Sequence, residues 1–100
     1  MSLPDQVVAE LQKEYLESLP AIIAEIRAAI ESSDWENIEK HFHRLAGSGQ
    51  TYGLPDITTV GRQMEAYLQA NSPHPSASKT KEALMIFEKI VENYRKNLLK

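Results

Sequence analysis

Apolar residues recur at steps of three and four along most of this chain, which is the spacing of one face of an α-helix. No stretch alternates strictly between apolar and polar residues, as a half-buried strand would. The repeated positions fall in four stretches: Val8, Leu11, Tyr15, Leu19, Ile22, Ile26 and Ile30; Trp35, Ile38, Phe42, Leu45 and Tyr52; Ile57, Val60, Met64 and Leu68; and Leu84, Phe87, Val91, Tyr94 and Leu98. The pattern therefore predicts an all-α fold.

Proline and glycine residues divide the pattern into helices. Pro20 lacks an amide donor and clashes with the preceding turn, so it predicts a short N-terminal helix followed by a longer one, with the break near Ser18 and Leu19. Gly53 can adopt the left-handed conformation that ends a helix, and Pro55 suits the first position of the next one.

Two further signals place the remaining helix ends. Asp34 can cap the second long helix, and Ser78 is the expected cap of the last one, after a loop over residues 71–76. Such short connections predict an antiparallel up-down-up-down four-helix bundle with a short extra N-terminal helix. Its expected core contains Phe42, Leu45, Ile57, Val60, Met64, Leu84, Phe87, Val91 and Tyr94.

Length and composition exclude several classes of protein. One hundred residues predict a single domain, residues 1–100. A net charge of -3 argues against nucleic acid as a partner, and the absence of cysteine excludes disulfides and thiolate metal sites. No apolar run is long enough for a signal peptide or a membrane span, so we expect a cytoplasmic protein without a membrane partner.

His43 stands out among the three histidines. On a helical wheel the apolar stripe centres roughly 130° from it, so its imidazole should face solvent. His41 lies on the opposite flank, about 160° away, where the two rings cannot share a metal. Gly47 should leave the surface beside His43 clear, while Gly49 on the packed side should let a neighbouring helix approach. An exposed imidazole with a clear approach can act as a nucleophile toward a partner.

This stretch resembles the signature of histidine-phosphotransfer (Hpt) domains, roughly His-x-Leu-Lys-Gly-Ser/Ala with a later Gly and a Glu on the following helix. The matching positions here are His43, Leu45, Gly47, Ser48, Gly53 and Glu65. The resemblance implies that His43 accepts a phosphoryl group and exchanges it with a receiver-domain aspartate. It also implies that Glu65 orients the imidazole.

The chain departs from that signature at Ala46, where the family often has a lysine that contacts the phosphoryl group. Candidates for the missing positive charge are Arg62, Lys40 and Arg44, in that order. Arg62 lies on the same strip as Glu65, Lys40 lies one turn before His43, and Arg44 points further off. The residues expected to meet the partner are Lys40, Arg44, Ala46, Gly47 and Gln50.

The resemblance also implies the partners, a response-regulator receiver domain and a hybrid histidine kinase, and leaves the direction of phosphoryl transfer open. We expect a monomer with no cofactor or metal of its own, because Mg²⁺ would come from the receiver. The chain has no phosphate-binding loop of the G-x-x-x-x-G-K type, so a kinase activity of its own is not expected. The alternative is a non-catalytic helical interaction module, such as a degenerate Hpt domain that binds a receiver without carrying phosphate.

Overall fold

Four α-helices make up the computed structural model, which describes residues 4–98. They are α1 (Asp5–Glu31), α2 (Trp35–Thr51), α3 (Pro55–Ala70) and α4 (Ala77–Leu98), and residues 4–98 contain no strand. Helix α1 packs against α2 and α4, and α3 packs against the same two helices. The predicted antiparallel four-helix bundle is therefore confirmed. No helix within the described part of the chain has the length and apolar character needed to cross a membrane.

The first helix is longer than the sequence predicts. Helix α1 runs without interruption through Pro20, so the separate short N-terminal helix is wrong. Pro20 is exposed, whereas Leu19 and Ile23 on either side of it are buried. Core packing before and after Pro20 therefore holds both halves in one helix, although Pro20 offers no amide to the Leu16 carbonyl.

The ends of α2 and the start of α3 follow the predicted signals. The Asp34 carboxylate accepts a hydrogen bond from the amide of Asn37 at 3.4 Å. Gly53 has a φ of 74°, and the amides of Gly53 and Leu54 close the last turn on the carbonyls of Gln50 and Gly49. Pro55 then occupies the first turn of α3, as expected.

The cap of α4 is Ser76 rather than the predicted Ser78. Its hydroxyl accepts a hydrogen bond from the amide of Lys79 at 3.2 Å, and α4 begins at Ala77. Composition assigned Ser76 to the loop because several residues around it are turn formers. Only the backbone path shows which serine precedes the first helical residue.

The core contains most of the predicted apolar positions. Val60 and Tyr94 are half-buried at its edge. Val8, Leu11 and Leu98 are exposed, although their spacing predicted burial. The fully packed set is Leu16, Leu19, Ile23, Ile26, Ala29, Ile30, Ile38, Phe42, Leu45, Leu54, Ile57, Met64, Leu68, Leu84, Phe87 and Val91.

Val8 and Leu98 lie near the ends of the two longest helices. Helix α1 has 27 residues and α4 has 22, whereas α2 and α3 have 17 and 16. Gln12 of α1 donates to the Tyr52 carbonyl at the end of α2, and the Tyr94 hydroxyl of α4 accepts from the Asp56 amide in the first turn of α3. Val8 and Leu98 lie one turn further toward the ends of α1 and α4 than these hydrogen bonds.

Candidate functional site

His43 projects from the middle of α2 toward solvent, with 74% of its side chain exposed. The preceding and following apolar residues, Phe42 and Leu45, are buried at 0% and 2% exposure. Because these two side chains fix the rotation of α2 about its axis, the imidazole has to point outward. The exposure expected from the sequence is confirmed.

Glu65 of α3 contacts the imidazole directly. Its Oε2 lies 2.5 Å from Nδ1 of His43, and 22% of the Glu65 side chain is exposed. Met64 beside it and Leu68 one turn on are buried, which holds this face of α3 toward α2. A carboxylate can only accept a hydrogen bond, so the contact places the ring proton on Nδ1 and leaves the lone pair on Nε2.

The two glycines near His43 lie in opposite surroundings. A Cβ added at Gly47 would meet no atom within 4 Å, so this position is open. A Cβ at Gly49 would lie 2.7 Å from the amide nitrogen of Thr58 and 2.9 Å from Cβ of Ile57. Gly47 therefore leaves the surface beside the imidazole clear, and Gly49 allows α3 to approach, as the sequence predicts.

Charged side chains surround the imidazole in a shallow depression. Among the described residues it is lined by Glu36, Glu39, Lys40, His43, Arg44 and Glu65. Nζ of Lys40 lies 3.4 Å from Oε1 of Glu36. The amide of Gln69 on α3 donates to Oε1 of Glu39 at 3.0 Å, which adds a second polar link between the helices. The rim of this depression thus carries two cationic side chains, Lys40 and Arg44, and Lys40 is paired with Glu36.

A comparison with protein-family models identifies the family of the chain. The family model described as "Hpt domain" matches residues 10–96. The chain belongs to the Hpt domain family. Neither the curated proteins nor the solved structures give a significant match. Hpt domains are histidine phosphocarriers rather than kinases, and they work with response-regulator receivers in phosphorelays.

Not every predicted site residue of this Hpt domain lines the depression around the imidazole. Arg62 is exposed on α3 but falls outside the set of described residues that line the depression. Arg44, ranked last among the three cations, does line it, as Lys40 does. Lys40 and Arg44 thus lie around the depression, and the order of importance of the three cations stays a prediction.

Ala46 and Gln50 occupy different environments. Ala46 is 8% exposed and lies against Gly61 of α3, so it offers almost no surface to a partner. Gln50 is exposed, and its backbone amide donates to the Thr58 hydroxyl at 2.6 Å. The structure thus keeps Gln50, but not Ala46, on the surface that carries His43 and Gly47.

His41 is buried against a neighbouring helix, in keeping with its predicted place at the border of the apolar stripe. The residue is 9% exposed, and its Nε2 lies 3.4 Å from Oε2 of Glu25 on α1. It thus faces α1, whereas His43 faces Glu65 of α3. Within residues 4–98, no group of three or more metal-ligating side chains is placed to hold a metal ion.

Helix α1 secures the far end of α2, a feature that the sequence did not reveal. The Tyr15 and Tyr52 rings stack with centroids 4.4 Å apart, and the Tyr15 hydroxyl and the Ser48 hydroxyl share a hydrogen bond of 2.7 Å. Gln12 donates to the Tyr52 carbonyl at 2.7 Å. Burial raises the pKa of Tyr15, and the bond to Ser48 opposes this effect. The C-terminal part of α2, which carries Gly47, is therefore in contact with α1 as well as with α3.

Proposed function

We propose that His43 accepts a phosphoryl group on Nε2 and exchanges it with the phosphorylated aspartate of a response-regulator receiver domain. The observation that carries this proposal is the 2.5 Å contact between Nδ1 of His43 and the Glu65 carboxylate on an otherwise exposed ring. The contact leaves the Nε2 lone pair for attack on phosphorus.

The chemistry requires one bond to form and one to break. Nε2 bonds to phosphorus while the bond between phosphorus and the aspartate oxygen breaks, and the aspartate leaves as a carboxylate. The proton on Nδ1 stays in place, so the ring becomes a phosphorylated imidazolium. Glu65 stabilises the positive charge that develops on the ring. Lys40 and Arg44 on the rim can attract the phosphoryl oxygens, and the receiver supplies Mg²⁺.

The approach of the receiver depends on the surface beside His43. Gly47 is open, and Gln50 and Thr51 continue the exposed surface along α2. We propose that the receiver's loops pass over Gly47 to reach Nε2. A hybrid histidine kinase with its own receiver would be one source of the phosphoryl group.

The test is incubation with a panel of radiolabelled phospho-receivers from the same genome. We expect a label on this chain that is lost in acid and retained in alkali, as a phosphohistidine is. His43→Gln should abolish it and leave the helical content unchanged, because the side chain is exposed. His41→Gln, the matched control two residues away, should accept phosphate normally.

Two outcomes would contradict the proposal. If the label persists in His43→Gln, another residue is the acceptor. If a receiver forms a complex with this chain and no label is transferred, the chain is a binding module that carries no phosphate.

Three further expectations stay predictions: the single domain over residues 1–100, the monomeric state and the cytoplasmic location. Sedimentation equilibrium would test the monomeric state.

A further inference from the structure

Helices α2 and α3 meet in a regular series of contacts. From one contact to the next, the contacting residue lies one turn earlier in α2 and one turn later in α3, as antiparallel packing requires. From the Gly53 turn outward, the paired residues are Gly49 with Thr58, Ala46 with Gly61, His43 with Glu65, and Glu39 with Gln69. The first two pairs are close contacts of small residues, and the last two are polar contacts. The contact between His43 and Glu65 therefore lies one turn from the closest approach of the two backbones.

Gly61 is what permits that close approach. A Cβ at this position would lie 2.6 Å from the amide nitrogen of Ala46 and 2.9 Å from the carbonyl oxygen of Phe42. Both neighbours are backbone atoms, which cannot rotate away as a side chain could. Since carbon contacts are most favourable near 3.5 to 4 Å, any larger residue would push the helices apart by about 1 Å.

The separation would be transmitted to Glu65. Glu65 lies four residues after Gly61, on the same face of α3. Its carboxylate now lies 2.5 Å from Nδ1 of His43. An added separation of about 1 Å would leave the two atoms roughly 3.5 Å apart, at the limit of a hydrogen bond. The imidazole would then be free to carry its proton on Nε2, the nitrogen that must attack.

We propose that Gly61 is a positioning residue of the phosphotransfer site. It holds α3 close enough to α2 for Glu65 to keep the proton of His43 on Nδ1. A glycine inside a helix is less favourable than alanine, and the close contact between the helices at Gly61 offsets that cost. The inference rests on the proposed function, since it concerns the same imidazole.

The experiment compares wild type with Gly61→Ala by two measurements. The first is the tautomer of His43, read from the ¹⁵N shifts of the ring in alkaline solution before any phosphorylation. The second is the rate of phosphoryl acceptance from a phospho-receiver. We expect Gly61→Ala to lose the Nδ1–H preference and to accept phosphate roughly 10- to 100-fold more slowly.

A control variant separates positioning from loss of stability. Val91→Ala creates a cavity in the core at α4, next to the groove between α1 and α4 and away from the contact between α2 and α3. It should lower the free energy of unfolding but keep the tautomer and the rate. In a Glu65→Ala background, which has no acceptor for Nδ1–H, Gly61→Ala should change the tautomer no further, because Gly61 acts through Glu65.

A second variant decides the case even if Gly61→Ala does not fold. Glu65→Asp shortens the side chain by one methylene and leaves the helix spacing unchanged, so it should reproduce the loss of the Nδ1–H preference. If Glu65→Asp keeps the wild-type tautomer, the spacing is not limiting and the inference fails. It also fails if a folded Gly61→Ala keeps both tautomer and rate. If wild type accepts no phosphate, the proposed function fails, and the tautomer still tests Gly61.

Discussion

Glu65 and His43 are 22 positions apart in the sequence and on different helices, yet Oε2 of Glu65 lies 2.5 Å from Nδ1 of His43. The exposure of the two side chains differs sharply, with 74% for His43 and 22% for Glu65. The carboxylate is thus held by the packing of α3, while the ring stays accessible to a partner. This division suits a residue that must be both oriented and reached from outside.

The charge of Glu65 should matter in addition to its position. Glu65→Gln keeps an oxygen that can accept from Nδ1–H but removes the negative charge that stabilises the phosphorylated ring. We expect slower phosphoryl acceptance, with Glu65→Ala slower still because it loses the hydrogen bond as well. Initial rates with one phospho-receiver measure this order. Equal rates for Glu65→Gln and wild type would mean that the charge has no role.

The two glycines of α2 should respond oppositely to the same change. Gly47→Ala should raise the free energy of unfolding by up to about 1 kcal/mol, because the position is open and alanine favours the helix. Gly49→Ala should lower it, since the new Cβ would meet the backbone of Thr58 at 2.7 Å. Urea unfolding measures both values. A decrease for Gly47→Ala would contradict the open environment.

A larger residue at Gly47 should separate stability from transfer. Gly47→Leu should fold at least as stably as wild type, yet transfer phosphate more slowly because its side chain stands where the receiver's loops approach. Thermal unfolding and the transfer rate are measured on the same sample. An unchanged rate in a stable variant would remove Gly47 from the docking surface.

Cations on the rim should contribute modestly to transfer. Lys40→Ala and Arg44→Ala should each slow acceptance a few-fold, since both residues line the depression around His43 but stay exposed and screened. Arg62→Ala should have a smaller effect, because Arg62 is not among the described residues that line that depression. Rates at low and high salt test this order. A larger effect of Arg62→Ala would restore the ranking made from the helical strip.

Alkaline pH should weaken the hold of α1 on α2. Burial raises the pKa of Tyr15 in the folded protein, so folding favours the protonated phenol. The resulting stability is complete below the unfolded pKa, about 10, and is lost as the pH rises through the folded value. Tyr15→Phe should reduce the fall in unfolding free energy across this range. Part of the fall in unfolding free energy should remain in this variant, because burial also raises the pKa of Tyr94. An unchanged fall would mean that Tyr15 ionises freely.

Local chemistry in the sequence was sufficient for several features of the structure. The Asp34 cap, the left-handed Gly53 and the start of α3 at Pro55 each depend on residues close together in the chain. The outward direction of His43 depends only on the apolar period of its own helix, which Phe42 and Leu45 define. Such features need no knowledge of what packs against the helix.

Other features depend on the partners of each residue, which only the tertiary structure determines. Pro20 does not break α1, because the buried residues around it hold both halves in the core. Arg44 lines the depression around His43 and Arg62 does not, a difference that the period of each helix alone does not give. Gly61 and Ala46 lie in close contact where α2 and α3 meet. The sequence by itself thus determined most of the helices and the outward direction of His43. The packing of α2 on α3 decided which side chains contact His43, because contacts between helices depend on their spacing and register.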